Sequence, residues 1–256
     1  MTTPATPRPS AFAPPSGHFS RNAPPTPSGP AAGTAKRVID VALAAVLLAF
    51  AVPFVIAAAG LVRATSRGPA IYSQTRLGRG GVPFTIYKIR TMANECERDT
   101  GPRWCAAGDP RVTPVGRVLR RLHIDELPQL VNVLRGDMSL VGPRPERPLI
   151  AANLGVRIPD FAARLAVRPG VTGLAQVQFP PDTDVESARR KLAADLGYIH
   201  GVTPGLDVRI LICTILHVLH LPRAWRRLVL GRFAAPPGST RLPLKGSDGT
   251  FAPQQA

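Results

Sequence analysis

The sequence is short of cysteine, aromatic residues and acidic residues, and each shortage argues against a class of protein. The three cysteines, Cys96, Cys105 and Cys213, form no CxxC pair, which argues against a disulfide framework and favours a reduced, cytosol-facing domain. Aromatic residues make up 5% of the chain, too few to supply the stacking platforms of a protein that binds single-stranded nucleic acid. The 16 acidic residues are outnumbered by 32 lysines and arginines, and the net charge is +16. This imbalance indicates an anionic partner, which is nucleic acid, anionic lipid or a phosphate-rich substrate.

Two segments at the ends of the chain lack the apolar residues that a folded core needs. Residues 1–35 contain nine prolines and no acidic residue, and residues 235–256 are similarly rich in small and turn-forming residues. Neither segment can bury enough apolar surface to offset the entropy of ordering. We therefore predict a disordered leader and a disordered tail around one folded unit, with no cleavable signal peptide.

One long hydrophobic run spans residues 41–62 and carries no charged residue. At about 1.5 Å per residue it is long enough to cross a bilayer core. Pro53 lies in its middle, where a proline removes a hydrogen bond and clashes with the preceding turn. Lys36 and Arg37 precede the run and further arginines follow it, whereas a spanning helix carries its positive charge mainly on the cytoplasmic side. We expect a re-entrant helix–break–helix hairpin over residues 36–67 that enters one leaflet and returns; an ordinary kinked transmembrane helix is the alternative.

The rest of the chain predicts an α+β, mostly helical fold. Ile71–Arg76 and Pro83–Arg90 flank a Gly-rich turn and predict a small β-hairpin. Residues 186–200 have the spacing of an amphipathic helix. Residues 206–220 are apolar but too short to span a membrane, and a basic segment with Trp225 follows them, a combination that favours amphipathic helices lying in the membrane interface. A plain core helix is the alternative for this last stretch.

The adjacent carboxylates Asp125 and Glu126 are the strongest candidates for catalytic residues. The apolar spacing after them predicts a short amphipathic helix over Leu127–Arg135, with Pro128 in its first turn and Gly136 as its end. The positive end of the helix macrodipole keeps such carboxylates ionised, and an ionised carboxylate can be a nucleophile or a metal ligand. The alternative is that Asp125 only caps the helix.

Four basic residues in turns or beside prolines are candidates for phosphate binding. Guanidinium groups match phosphate geometry in a bidentate fork, and neighbouring prolines lower the entropy lost on binding. A solvated basic face is the alternative for each residue taken alone. The candidates are Lys88, Arg120, Arg144 and Arg168.

Seven stretches occur together in one order between residues 36 and 199. They are KRVIDV (36–41), GPAIYSQTRLG (68–78), PFTIYKIRTM (83–92), DPRVTPVGRVLRR (109–121), RRLHIDELPQLVNVLRGDMSLVGPRPER (120–147), RPGVTGLAQV (168–177) and DLGYI (195–199). Together they resemble the bacterial sugar transferase family, the monotopic polyprenyl-phosphate phosphoglycosyl transferases. Two positions depart from the family pattern: Val52 stands where a serine usually precedes the proline, and Gly197 stands where an aromatic residue is common.

The resemblance implies an enzyme of the inner (plasma) membrane whose catalytic domain, residues 68–234, lies at the cytoplasmic face. Asp125 would attack the β-phosphate of a nucleoside diphosphate sugar, expected to be a UDP-sugar, and expel the nucleoside monophosphate. Polyprenyl (undecaprenyl) phosphate would then take the sugar phosphate from Asp125, which initiates synthesis of an exopolysaccharide or glycoconjugate. Glu126 would hold Mg²⁺ or assist proton transfer, and Asp125 and, more weakly, Asp195 are further candidates for binding the metal.

Three other functions account for parts of the sequence. A membrane-anchored scaffold of a polysaccharide export complex would explain the hydrophobic run and the charge, but not the carboxylate pair together with the proline-braced arginines. A nucleic-acid-binding protein would explain only the charge, and we expect no nucleic-acid partner. A metal-dependent glycosyl transferase would release a nucleoside diphosphate. The sequence leaves open the sugar, the polysaccharide and whether the chain forms a homo-oligomer.

Overall fold

The computed structural model describes residues 30–98, 104–105 and 108–234. Within these residues the fold is mostly helical with two small sheets, which confirms the predicted α+β class. Apart from residues 30–35, the predicted disordered leader and tail lie outside the described residues. The helices are α1 Pro30–Thr65, α2 Pro114–Arg121, α3 Gln129–Arg135, α4 Pro148–Arg157, α5 Leu174–Gln178, α6 Val185–His200, α7 Pro204–Val218 and α8 Arg223–Leu230, and the strands are β1 Ile71–Leu77, β2 Pro83–Ile89, β3 Ser139–Val141 and β4 Gly170–Thr172.

The predicted β-hairpin is confirmed as an antiparallel pair of β1 and β2, with Ile71 opposite Ile89 at its open end. Its turn requires glycine, because Gly80 and Gly81 have positive φ angles of 67° and 78°. The hairpin carries Lys88 on β2 towards the carboxylate pair. The first sheet therefore positions one of the predicted phosphate-binding residues.

A second sheet, the parallel pair of β3 and β4, was not predicted from the sequence. Each strand has three residues, too few to show the alternation that identifies a strand. The two backbones approach so closely that a Cβ atom on Gly170 would lie 2.1 Å from the nitrogen of Gly142. Glycine at these positions lets the segment after β3 lie against β4, and that segment leads directly to Arg144.

Helix α1 is continuous, with Pro53 inside it. The break predicted at this proline is therefore not confirmed, and the predicted leader boundary at residue 35 is wrong because the helix begins at Pro30. On one face Ala44, Ala51 and Ala58 are at most 5% exposed and pack on the rest of the fold. Since both halves of α1 dock on the same body, this packing holds the helix together across the proline.

Polar contacts fix the N-terminal end of α1. Asp40 is buried and accepts a hydrogen bond from Ser139 Oγ at 2.7 Å. Lys36 Nζ forms an ion pair with Asp207 Oδ2 of α7 at 2.7 Å. Arg37 donates to a carbonyl oxygen at the end of α3 at 2.7 Å. The KRVIDV stretch thus docks α1 onto β3, α3 and α7.

Helices α1, α7 and α8 are among those that expose large apolar side chains. The apolar residues of α1 form a helix long and apolar enough, by length and composition, to cross a membrane, which supports membrane association. Helix α7 buries Leu206, Ile210 and Cys213 in the core, so one face of α7 packs as the alternative prediction of a plain core helix requires. The opposite face of α7 and two residues of the arginine-rich α8 expose apolar side chains, and the interfacial position of these helices stays a prediction. The exposed residues include Phe50, Phe54 and Ile56 of α1, Val208, Ile212 and Ile215 of α7, and Trp225 and Leu228 of α8.

Candidate active site

The carboxylate pair lies in a turn between two helices rather than at the start of a helix. After α2, His123 adopts a left-handed conformation (φ 56°) and leads into the 3₁₀ turn Ile124–Glu126. Helix α3 begins only at Gln129, later than predicted, because Pro128 occupies its N-cap position. That N-cap has no side-chain hydrogen bond, so the alternative role of Asp125 as a helix cap is not supported.

Glu126 is held by two cations. Lys88 Nζ and Arg144 Nη2 both lie 2.7 Å from Glu126 Oε1, and Arg144 Nη1 lies 3.5 Å from Oε2. Burial favours the protonated acid, but the charges of Arg144 and Lys88 outweigh it and hold the pKa of Glu126 well below its usual range. Glu126 is therefore an ionised carboxylate in a fixed position.

Asp125 is buried beside this ion-paired carboxylate, with 8% of the residue exposed. Among the described residues no cation forms a salt bridge with it. Burial and the negative charge of Glu126 raise the pKa of Asp125 above its ordinary value, and the charges of Lys88, Arg120 and Arg144 offset only part of that effect. The site thus presents one carboxylate whose charge is incompletely compensated and which favours a positively charged or electrophilic ligand.

Arg120 lies within electrostatic reach of Asp125 but is held by other groups. Its Nε donates to Thr91 Oγ1 at 2.8 Å, and its Nη1 lies 2.9 Å from Cys105 Sγ. Its charge lowers the pKa of Asp125. The structure therefore brings Lys88, Arg120 and Arg144 to the carboxylate pair, and their role in phosphate binding stays a prediction.

Arg168 is not brought to the pair. Its Nε donates to Gly136 O at 3.0 Å, where a positive φ of 96° ends α3 as predicted. Arg37 donates to the neighbouring carbonyl of Leu134 at 3.2 Å. Both guanidinium groups thus satisfy the C-terminal carbonyls of α3, whereas Asp125 precedes its N-terminus. The length of α3 therefore separates Arg168 from Asp125 in this structure, and the predicted phosphate-binding role of Arg168 stays a prediction.

Asp195 also lies away from the pair. It is on α6, is 2% exposed, and forms an ion pair with Arg164 Nη2 at 2.7 Å. Burial nevertheless raises the pKa of Asp195, and Arg164 offsets this only in part. Asp195 borders a separate cleft that Arg144 also lines, so the predicted joint metal site with Asp125 is not formed in this structure.

Two histidines that sequence reasoning left without a role connect the turn to α7. The ring of His123 meets the ring of His217 edge-on, with 5.5 Å between centroids. Nδ1 of His217 accepts a hydrogen bond from Arg226 Nη1 at 2.6 Å. Burial and the nearby charge of Arg226 lower the pKa of His217 to about 4, so it is neutral at pH 7. No sequence signal links these residues, because their contact depends on how α7 packs.

Comparisons with known proteins agree with the geometry. The family model described as bacterial sugar transferase matches residues 31–221. The chain is 47% identical over 207 residues to a UDP-glucose:undecaprenyl-phosphate glucose-1-phosphate transferase of Caulobacter vibrioides, covering 78% of this chain and 76% of the relative.

Two further relatives are longer than the matched region. A UDP-N-acetylgalactosamine-undecaprenyl-phosphate N-acetylgalactosaminephosphotransferase of Aeromonas hydrophila is 41% identical over 184 residues, 72% of this chain and 43% of the relative. A UDP-glucose:undecaprenyl-phosphate glucose-1-phosphate transferase of Escherichia coli is 39% identical over 184 residues, 70% of this chain and 39% of the relative. The family model covers the turn with Asp125 and Glu126, both sheets and α1 from residue 31. The chain belongs to the bacterial sugar transferase family, and the predicted enzyme class, a phosphoglycosyl transferase, is confirmed.

Proposed function

We propose that the protein transfers a sugar 1-phosphate from a UDP-sugar to undecaprenyl phosphate through a covalent sugar-phosphoryl-aspartate on Asp125. The names of its relatives in Caulobacter and Escherichia support the two substrates. One observation carries the proposed mechanism: two cations hold Glu126 in place, while the adjacent Asp125 is buried and forms no ion pair with any described residue. The same reaction would initiate synthesis of an exopolysaccharide or glycoconjugate.

The proposed reaction has two displacements at one phosphorus atom. A carboxylate oxygen of Asp125 attacks the β-phosphorus of the UDP-sugar, and the bond to the bridging oxygen breaks to release UMP. A phosphate oxygen of undecaprenyl phosphate then attacks the same phosphorus, and the aspartyl oxygen leaves as a carboxylate. The product is undecaprenyl diphosphate sugar, and Asp125 returns to its starting state.

The three basic residues around the pair have distinct proposed roles. Arg144 has 43% of its side chain exposed and Lys88 has 17%, so Arg144 is the better placed to contact an incoming phosphate. Lys88 orients Glu126, which in turn holds the Arg144 guanidinium by charge-assisted hydrogen bonds. Arg120 supplies positive charge near Asp125 and stabilises its ionised form for the attack.

Mg²⁺ fits this site as an ion that binds together with the substrate phosphates. The described residues contain no group of three or more His, Cys, Asp and Glu side chains able to hold a metal. One or two carboxylates plus substrate phosphates are a common Mg²⁺ site, and Asp125 and Glu126 supply such carboxylates. Asp195 does not fit, because it pairs with Arg164 outside this site. When bound, Mg²⁺ would neutralise charge on the phosphoryl oxygens.

We place α1 in the cytoplasmic leaflet of the inner membrane, with both of its ends on the cytoplasmic side. The support is that its two ends pack on one body: Lys36 pairs with Asp207, and Val62 packs with Leu119. A carboxylate at the bilayer surface can meet both a soluble nucleotide sugar and a lipid phosphate. The basic surface would add attraction to anionic headgroups, about 1 kcal/mol for each exposed lysine or arginine near them.

The released nucleotide tests this proposal. Purified protein in detergent is given a UDP-sugar and undecaprenyl phosphate, and the nucleotide product is identified. We expect UMP, and we expect Asp125→Asn to abolish its release while Glu186→Gln, an exposed acidic residue of α6, leaves it unchanged. Release of UDP would favour direct glycosyl transfer, and no turnover with any sugar nucleotide would favour the export-complex scaffold.

A further inference from the structure

A polar cleft is lined in part by Arg144 but not by Glu126. It is partly open to solvent and is formed by the 3₁₀ segment Phe161–Ala166 with α5 and α6. Two ion pairs line it: Arg164 with Asp195 at 2.7 Å, and Lys191 Nζ with Asp182 Oδ1 at 3.2 Å. The cleft therefore places charged donors and acceptors side by side next to the proposed phosphate-binding arginine.

The cleft keeps polar groups that packing alone does not explain. Gln176 donates through Nε2 to Val171 O at 3.0 Å, but its buried Oε1 has no hydrogen-bond partner within the part of the chain that the structure describes. Buried polar atoms are nearly always paired, and buried ion pairs contribute little to stability compared with apolar residues of the same size. Burial raises the pKa of Asp182 and lowers the pKa of Lys191. Such groups gathered in a cleft are typical of a binding site.

Arg144 connects the cleft to the catalytic pair. Its guanidinium binds Glu126 and its side chain lines the cleft, while its carbonyl oxygen accepts a hydrogen bond from Arg164 Nη2 at 3.0 Å. A group bonded to a phosphate that Arg144 holds can thus extend into the cleft. The Arg164 hydrogen bond fixes the backbone of Arg144 relative to the cleft wall.

The lining suits a hydroxylated ring. Carboxylates, an ammonium group and an amide recognise hydroxyl groups through paired donors and acceptors, and Phe161 adds an apolar wall. We propose that the cleft binds the hexose of the sugar nucleotide, and that Lys191 and Asp182 discriminate between hexoses by the configuration of their hydroxyl groups. This inference rests on the proposed function, since the hexose is part of the UDP-sugar that serves as donor in the proposed reaction.

The test separates the hexose from the nucleotide. For wild type, Lys191→Met and Asp182→Asn, kcat/KM is measured with UDP-glucose, UDP-galactose, UDP-GlcNAc and UDP-GalNAc, and the inhibition constant of UMP is measured alongside. We expect the ratio of kcat/KM between the preferred donor and its 4-epimer to change by about tenfold or more, as for a lost hydrogen bond to a charged group. UMP has no hexose, so its inhibition constant should stay within about twofold.

The control is Arg189→Met on the same helix, whose exposed side chain pairs with Glu186 and should leave every ratio unchanged. Thermal melting checks whether each variant folds. If Lys191→Met does not fold, the donor ratios of the nearly isosteric Asp182→Asn test the inference. An equal loss with all four donors would overturn the inference, as would unchanged ratios in both variants. Parallel weakening of UMP would assign the cleft to the nucleoside instead. If wild type turns over no sugar nucleotide, the proposed function fails first and the inference fails with it.

Discussion

The adjacent carboxylates Asp125 and Glu126 are expected to affect stability in opposite directions when each is replaced by its amide. Burial and the charge of Glu126 raise the pKa of Asp125 in the folded state. The folded state therefore binds the Asp125 proton more tightly than the unfolded state, in which the pKa of an aspartate is about 3.9. The destabilisation is absent below the unfolded pKa, grows between the two pKa values, and is complete above the folded one. Asp125→Asn removes it, so this variant should be more stable than wild type at pH 7.5.

Glu126→Gln should have the reverse effect. The charges of Arg144 and Lys88 hold the folded-state pKa of Glu126 well below its usual range, so its carboxylate stabilises the fold above the unfolded pKa of about 4.3. That stabilisation is lost as the pH falls through the folded-state pKa. The amide also leaves Lys88, with 17% of its side chain exposed, without its anionic partner.

The size of the expected stability changes follows from the linkage between proton binding and folding. Each pKa unit that separates the folded and unfolded states corresponds to about 1.4 kcal/mol, and 1 kcal/mol shifts the Tm of a domain of this size by about 2–4 °C. Thermal unfolding is followed in one detergent at pH 4, 5.5 and 7.5. We expect Asp125→Asn to raise Tm at pH 7.5 by an amount that shrinks towards pH 4, and Glu126→Gln to lower Tm at pH 7.5. A fall in Tm for Asp125→Asn at pH 7.5, or shifts of the same sign for both amides, would refute this reasoning.

Three further outcomes are expected. Arg144→Lys keeps the charge but loses the two-point contact with Glu126, so kcat/KM should fall about 10- to 150-fold, the equivalent of about 1.5–3 kcal/mol, whereas the exposed Arg135→Lys should retain activity. Arg168→Ala should lower the free energy of unfolding by about 1 kcal/mol, because it removes a hydrogen bond at the end of α3, and the variant should still form the covalent intermediate. Loss of labelling would instead indicate that Arg168 binds phosphate. Single-cysteine variants Ser20→Cys and Arg189→Cys, made without the native cysteines, should both resist an impermeant thiol reagent in intact cells, and labelling at position 20 alone would show that α1 spans the membrane.

The parts of the fold predictable from sequence are those with a strong local signal. The β-hairpin has β-branched strands around Gly80 and Gly81, whose positive φ angles only glycine adopts readily. The sequence spacing between the carboxylate pair and Gly136, which predicts a short helix that ends at Gly136, is also a local signal. The break at Pro53 was predicted from an intrinsic helix preference, which packing of Ala51 and Ala58 on the same body overrides.

The remaining features depend on contacts between distant parts of the chain. Proline beside Arg144 and Arg168 made them equivalent candidates, but β4 directs Arg168 to the C-terminus of α3 and only Arg144 reaches Glu126. The partner of Asp195, Arg164, lies in a different segment. Burial raises the pKa of both carboxylates, and the net directions are opposite because Lys88 and Arg144 pair with Glu126; this pairing is likewise a property of the packed structure.

Covalent labelling is the most direct test of the central claim that Asp125 is the nucleophile. Wild-type protein is incubated with a UDP-sugar carrying ³²P at the β-phosphate, without acceptor lipid, and the modified residue is mapped by peptide mass analysis. We predict a sugar-phosphoryl group on Asp125 with one UMP released per labelled chain, and discharge of the label on addition of undecaprenyl phosphate. Turnover of donor and acceptor by wild type without any labelled protein, or a label that persists in Asp125→Asn, would contradict the account.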